Sequence, residues 1–333
     1  MKRRGIVLLA AAGAILLAAL SITSCTKSSV PEKVEKLRIG VYTDSICALI
    51  YIAQQQGFFK RNGLDVSIAN YGAGIYAVND LLADKVDVAT AAELVMALQV
   101  FKNRELRALG TTGSTHTVEV VARRDRGIEK PGDLRGKRFG ITKNTISEFF
   151  LANFLSFNSI RPTEIRMVDL KPPEMLSAFS EGKIDAASCF PPASEAIKKK
   201  LAHKAIFWPA QGGRDFYSVL IARDDLVKTR PGAIDGLLKG MLDAVTFLKK
   251  SEREAQDIVQ GILGVDHEAL MVTWSKTRFF VRLDSDLLTL MEDEGRWAIK
   301  NKLVDAVAIP DYSTFLYLEG LKKIKPEAVG VSY

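Results

Sequence analysis

Leu82-Ala83-Asp84-Lys85-Val86-Asp87-Val88-Ala89-Thr90 and Ser180-Glu181-Gly182-Lys183-Ile184-Asp185-Ala186-Ala187-Ser188 carry one pattern twice, 98 residues apart. Each reads as the end of a helix, a turn, Lys-x-Asp, and a short apolar run closing on a hydroxyl residue. The echo continues upstream. Ile39-Gly40-Val41 matches Phe139-Gly140-Ile141 at an offset of 100, and Asn62-Gly63-Leu64 matches Asn158-Ser159-Ile160 at an offset of 96. Three segments in one order at nearly one offset predict two similar β/α lobes, each contributing strand, helix, strand, helix, strand. Coincidence among common residue types is the competing explanation.

Working outward, strand-like and helix-like segments alternate from Leu37. Residues 37–41, 64–68 and 86–89 read as buried strands. Residues 47–59 (closed by Gly57), 76–83 and 93–101 have the apolar spacing of helices. This alternation predicts a mainly parallel sheet with helices on both faces. Residues 106–112 and 117–123 are strand-like and bracket Gly113-Ser114-Thr115-His116, where the chain can leave the first lobe. Residues 117–123 outward and 217–222 back are expected to form a two-stranded hinge. The remainder reads as helices at 231–249, 252–263, 267–276 and 285–300, a C-terminal pack that returns to buttress the first lobe. The chain then divides into a leader (1–24), a tether (25–36), lobe 1 with the C-terminal helices (37–116 plus 223–333), and lobe 2 with the hinge strands (117–222).

The leader reads plainly. Lys2, Arg3 and Arg4 precede an apolar run from Ile6 to Leu20, a secretory signal too short for the about 20 residues of a membrane span. Ile22-Thr23-Ser24-Cys25 resembles the bacterial lipobox, so Cys25 is expected to carry lipid. The body would then be held by a polar tether at the outer face of the cytoplasmic membrane or in the periplasm. Composition agrees with a folded body, at 26% charged and 47% hydrophobic. Net charge is +7, but the first 24 residues hold three basic and no acidic groups, leaving +4 and no long basic run, which argues against nucleic acid. Cys47 and Cys189 are too few for a disulfide framework, and His116, His203 and His267 are scattered, so neither a metal nor a cofactor is expected.

Open α/β sheets bind ligands beyond the carboxyl ends of their strands, where helix N-termini gather. The turns at those positions supply the candidates. After the first strand come Asp44, Ser45 and Cys47; after the second, Gly72, Gly74 and Tyr76; after the third, Ala91 and Glu93. The second lobe offers Asn144, Thr145 and Ser147, then Cys189 and Phe190. Thr145 and Ser147 could offer hydroxyls beside backbone N–H groups, or could be ordinary helix caps. Glu93 would attract an amine and repel a simple anion, or simply favour the first turn of its helix. Arg214 and Asp215 could clamp a carboxylate or sulfonate and an amine, or pair with one another. Tyr42, Tyr71, Tyr76, Phe190, Phe216 and Tyr217 are candidate aromatic walls or core. Cys47 and Cys189 each follow a strand in a different lobe and are expected to be free, small buried side chains.

Ile50-Tyr51-Ile52-Ala53, Gly57-Phe58-Phe59, Gly63-Leu64-Asp65-Val66, Asp133 to Gly140, Gly182 to Ala186 and Glu294 to Ala298 together resemble the solute-binding proteins of ABC importers for nitrate, sulfonates, taurine and thiamine-type pyrimidines. The resemblance implies a type 2 periplasmic-binding-protein fold. Two lobes close on a small polar organic solute, sulfonate, carboxylate or pyrimidine-like, and deliver it to an ABC permease. A monomeric receptor without catalysis is expected. The sequence departs from many members at Leu49, where they carry proline, and at Asp84, where they carry glycine, so no member's ligand contacts transfer directly. Two other classes fit the scaffold: an enzyme related to thiamine-pyrimidine synthesis, for which Cys47 has no evident histidine partner, and a sensor feeding a receptor kinase.

Overall fold

The computed structural model describes residues 34–331 of the 333; the leader, Cys25 and the tether up to residue 33 lie outside the described residues. The strands that build the two main sheets are β1 (Glu35–Tyr42), β2 (Leu64–Tyr71), β3 (Val88–Ala92), β4 (Leu106–Thr115), β5 (Glu119–Arg123), β6 (Arg138–Ile141), β7 (Arg166–Asp169), β8 (Ala186–Cys189), β9 (Ala205–Pro209), β10 (Phe216–Arg223) and β11 (Thr277–Phe279). One sheet runs β11-β4-β10-β3-β1-β2 and the other β7-β6-β8-β5-β9.

The two orders coincide strand for strand, β2-β1-β3-β10-β4 against β7-β6-β8-β5-β9. In each sheet the first strand pairs in parallel with its neighbours on both sides. A strand arriving from the other lobe then enters antiparallel to the rest. The sequence repeat is the seam of this duplication. The Lys-x-Asp aspartates reach back to the start of the first strand of their own sheet. Asp87 accepts from the backbone N–H of Arg38 (2.7 Å) and from its guanidinium (2.7 and 3.2 Å). Asp185 does the same for Arg138 at 3.1, 2.8 and 3.1 Å. This staple takes the Asp87 side chain, and β3 begins one residue later at Val88 rather than at residue 86. The turn before each staple is left-handed, with φ +59° at Asp84 and +69° at Gly182. A short polar side chain tolerates that region where most would be strained, so the departure at Asp84 keeps the turn.

Two expectations are corrected. The sheets are mixed rather than mainly parallel, because the strand that crosses from the opposite lobe necessarily enters from the other end. For the same reason residues 117–123 and 217–222 do not pair as a hinge: β5 lies in the second sheet and β10 in the first, between β3 and β4. The lobes are joined instead by two short crossings, residues 116–118 and 210–215.

One side chain knits the crossings together. Gln211, buried, accepts from the backbone N–H of Val118 (2.7 Å) and donates to the carbonyls of Thr115 (3.2 Å) and Arg214 (2.7 Å). The Ala210 N–H donates to the Val118 carbonyl at 3.0 Å. The helix Pro231–Lys250 lies over the helices Ala48–Gln55 and Phe58–Arg61 of the first lobe. The helix Ser285–Lys300 packs on Glu93–Gln99, yet its Trp297 meets Phe149 of the second lobe edge to face, with ring centroids 5.2 Å apart. The C-terminal pack therefore touches both lobes rather than buttressing the first alone.

Candidate functional site

Two small cavities lie where the lobes meet. The first, about 40 Å³, is walled by Thr43, Asp44 and Ser45 after β1, by Pro191, Pro192 and Glu195 after β8, and by Leu263, Val265, Ala269, Leu270 and Thr273 of the C-terminal helices. The second, about 20 Å³, is walled by Tyr42, Ala73, Gly74, Ala92, Val95 and Phe216 on one side and Thr145, Ile146 and Phe190 on the other. At about 10–15 Å³ per water the first holds about three waters and the second one or two, so the lobes are closed upon each other.

Asp44 is the most informative wall residue. It caps the short helical turn Ser45–Cys47, its Oδ1 accepting from the Ile46 N–H at 3.1 Å. Its Oδ2 is buried without a partner. Burial outweighs the hydrogen bonds to Oδ1 and raises its pKa from 3.8 to about 6. Ser45 Oγ donates to Thr273 Oγ1 at 2.9 Å, and Thr273 Oγ1 donates to the Leu270 carbonyl at 2.9 Å. Both hydroxyl hydrogens are thus committed within the wall. In the second cavity the Tyr42 hydroxyl is also buried and unpartnered.

Other candidates land elsewhere. A Cβ on Gly74 would meet Ala91 Cα at 2.5 Å, so this pair is a packing contact at the start of the helix Gly74–Leu82, with only Gly74 facing the cavity. Gly72 faces Pro173 of the second lobe, and half-buried Tyr76 lies near Asp169 and Glu174 of that lobe, so both stand at the rim where the lobes touch. Glu93 is wholly buried, accepts from the Tyr217 N–H at 2.8 Å and leaves Oε1 without a partner. Burial lifts its pKa to about 8. Glu294 nearby likewise leaves Oε2 unpartnered, and burial and the charge of Glu93 both raise its pKa.

Several turns prove to be self-satisfied caps. Thr145 accepts from the Ser147 N–H, and its own hydroxyl donates to the Thr142 carbonyl (2.7 Å). Ser147 is fully buried beneath that cap, and exposed Asn144 donates its N–H to Glu148 (2.7 Å). Cys47 and Cys189 are free thiols in different core clusters and line neither cavity. Burial pushes Cys47 up to about 12 and raises Cys189 as well, so neither is a thiolate at neutral pH. Arg214 and Asp215 do not pair with one another. Arg214 donates to Asp293 (2.9 Å), whereas Asp215 accepts from Ser114 (2.8 Å) and Arg278 (2.7 Å) and lies 3.3 Å from His116 Nδ1. Their side chains reach different elements and line neither of the two cavities, and both border an open groove with Tyr217, Arg278 and Asp293. The sequence reading missed Thr273, Glu195 and Gln211. The return of the C-terminal helices brings Thr273 to the lobe junction and the second crossing brings Gln211, whereas Glu195 sits on the helix that follows β8, beyond the turn residues named from sequence.

Residues 45–255 match the family model described as NMT1/THI5 like. Among its relatives is the taurine-binding periplasmic protein of Escherichia coli K12, 24% identical over 189 residues, which cover 56% of this chain and 58% of that one. Among solved structures, the alkanesulfonate-binding protein SsuA of Xanthomonas axonopodis pv. citri bound to MOPS aligns with a TM-score of 0.73 at 14% identity, covering 86% of this chain and 99% of that one. The desulfurization enzyme DSZB aligns at 0.64 and 15%, covering 88% and 99%. At these identities the structural likenesses speak for fold alone. Two mixed sheets of one strand order, closed over cavities at their junction, and a family match across most of the described residues lead to one assignment: the chain belongs to the NMT1/THI5-like family and has the periplasmic-binding-protein fold.

Proposed function

We propose that this chain is an extracytoplasmic receptor that captures a small polar organic solute between its lobes and delivers it to an ABC import permease. The observation that carries this reading is the first cavity. Its wall needs three regions of the chain at once, the turn after β1, the turn after β8 and the C-terminal helices, and it includes Asp44, one of whose carboxylate oxygens is buried with no partner. Such a wall is complete only in the closed form, so a ligand that satisfies it favours closure. The lobe of β5 to β9 would swing about residues 116–118 and 210–215, and the permease would read the closed surface. In this reading the protein is monomeric and lipid-anchored through Cys25. Catalysis has no part in it, since the wholly buried Cys47 is a poor nucleophile. Among the described residues no helix is long and apolar enough to cross a membrane.

Small-angle scattering of the full chain in mild detergent tests the reading, with a screen of sulfonates, carboxylates, pyrimidines and amines added singly and each compound assayed afterwards by mass spectrometry. A fall in radius of gyration with one class, the compound recovered intact, is the expected result. Chemical conversion of a compound would replace the receptor with an enzyme.

A further inference from the structure

Resting on the receptor reading, we infer that the solute is an organic cation, bound by seating a primary or secondary ammonium group on Asp44, and that anions such as alkanesulfonates are excluded.

The chemistry of the first cavity runs one way. Its lining contains two carboxylates, Asp44 and Glu195, and no lysine, arginine, histidine, asparagine or glutamine. Glu195 is tied to Lys198 at 2.6 Å, whereas Asp44 Oδ2, on a residue only 3% exposed, meets nothing. A buried carboxylate oxygen left without a donor costs free energy that a donor-bearing ligand recovers. Ser45 and Thr273 commit their hydroxyl hydrogens to the wall and present lone pairs. Pro191 has an imide nitrogen, as does Pro192, and neither supplies an N–H. Thr43 is the one lining hydroxyl whose hydrogen is not committed, so the cavity offers more acceptors than donors, which suits N–H groups carrying positive charge.

An anion would need the opposite. Helix N-termini supply it elsewhere by pointing free N–H groups at the ligand; at two of the turns around the junction such groups are capped, whereas the helices Gly74–Leu82, Glu93–Gln99 and Ala193–Leu201 carry no side-chain cap. Asp44 takes the Ile46 N–H, Thr145 takes the Ser147 N–H and Glu148 takes the Asn144 N–H. The second cavity has no charged lining residue at all, and Arg214, the cation nearest the buried Glu93 and Glu294, is engaged by Asp293.

The cavity also has an outlet that gives the ligand a body. Pro192, Glu195, Val265 and Ala269 are shared with an open groove of about 520 Å³ between the helices Ala193–Leu201 and His267–Trp274, whose walls also carry Lys198, paired with Glu119 and Glu195, Lys199, paired with Asp266, and Glu268. An ammonium head on Asp44 with an aliphatic or flat body between the prolines and Val265 fits both spaces.

Titration calorimetry of the full chain in mild detergent at pH 7.5 tests the inference with three probes of equal carbon length: n-propylammonium, propane-1-sulfonate and 1-propanol. Binding of propylammonium at least tenfold tighter than of the other two is expected. Asp44→Asn should weaken propylammonium at least tenfold. Ala269→Lys, at a half-buried position on the cavity mouth, should do the same by placing a tethered ammonium there, and this variant guards against a fold defect in the first. Sulfonate binding as tight as the amine overturns the inference while leaving a receptor. Amine affinity unchanged in both variants also overturns it. Absence of binding by all three probes overturns it too, while the scattering screen judges the receptor reading independently.

Discussion

The two lobes share a strand order and an Arg–Asp staple, yet they treat buried acid in opposite ways. In the second lobe Glu119, buried on β5, is held between Lys198 at 2.8 Å and Lys276 at 3.7 Å. In the first lobe Asp44 and Glu93 are buried with one carboxylate oxygen each left without a partner. Buried charge is tolerated when paired and costly when not. The duplication therefore conserved the scaffold and separated the work: the second lobe keeps its charge as structure, and the first keeps its charge available.

That contrast makes the largest prediction one of pH. The pKa of Asp44 is raised from 3.8 to about 6 in the folded chain, so the folded state favours the protonated acid. The stability this gives is complete below about pH 4 and is lost as pH rises through 6. Glu93, raised to about 8 from 4.5, extends the decline toward pH 8. Urea unfolding of the ligand-free chain should show stability falling across pH 4 to 8. Asp44→Asn should raise stability at pH 7.5 by up to about 3 kcal/mol, at 1.36 kcal/mol per pKa unit, and change little at pH 4. Equal gains at both pH values would mean that Asp44 is not a buried, unpaired charge.

Next in size is the joint that allows the comparison at all. Gln211→Ala would strand the Val118 N–H and the Thr115 carbonyl, and losing such partners costs about 1–3 kcal/mol. The variant should unfold near the lower end of that range if water replaces the amide. Its scattering profile should show a broader distribution of lobe separations than the parent. An unchanged profile would place the joint elsewhere.

The staples allow the lobes to be compared directly. The Asp185 side chain is 10% exposed and has Arg126 at 3.8 Å in addition to Arg138; Asp87 is 18% exposed and has Arg38. Asp185→Ala should cost roughly 2 kcal/mol and Asp87→Ala roughly 1, in keeping with charged, bidentate hydrogen bonds at partly exposed sites. The reverse order in thermal unfolding would show that solvent screening, not the added arginine, decides.

How much of this was legible in the sequence follows from which forces are local. The repeat could be read because Lys-x-Asp and the short apolar strands are local patterns with a fixed spacing, and the strands from β1 to β3 appeared where alternation placed them. The hinge could not be read from pattern. Residues 117–123 and 217–222 look alike as strands, and which sheet each joins is decided by long-range pairing. The site was half legible. Asp44, Ser45, Gly74, Thr145 and Phe190 line the cavities because strand ends lead there by topology. Thr273 lies on a helix whose sequence carries no sign that the chain's return brings it to the junction, and Glu195 lies one step past the strand-end turn after β8. Cys47, Cys189 and Asn144 line neither cavity, because counting residues past a strand does not tell which way each side chain turns.

The smallest expected difference lies at the two repeated glycines, and it separates a rigid wall from a soft one. A Cβ on Gly40 would stand 3.0 Å from the ring edge of Tyr71 and 3.2 Å from Ala77 Cβ. The Tyr71 hydroxyl is fixed to Asp80 at 2.9 Å, and Ala77 has no freedom apart from its helix. A Cβ on Gly140 would come closer, 2.8 Å from Ile184 Cδ1 and 3.0 Å from Met175 Sδ, but both are the far ends of side chains that can rotate. Overpacking costs about 1–3 kcal/mol according to how far the surroundings can yield. Gly40→Ala should therefore cost about 2 kcal/mol and Gly140→Ala about 1, despite the shorter contact at the second site. Urea midpoints of the two variants measure the difference. A larger loss at Gly140 would mean that the core of the second lobe is as unyielding as that of the first, and that the lobes differ in their charges alone.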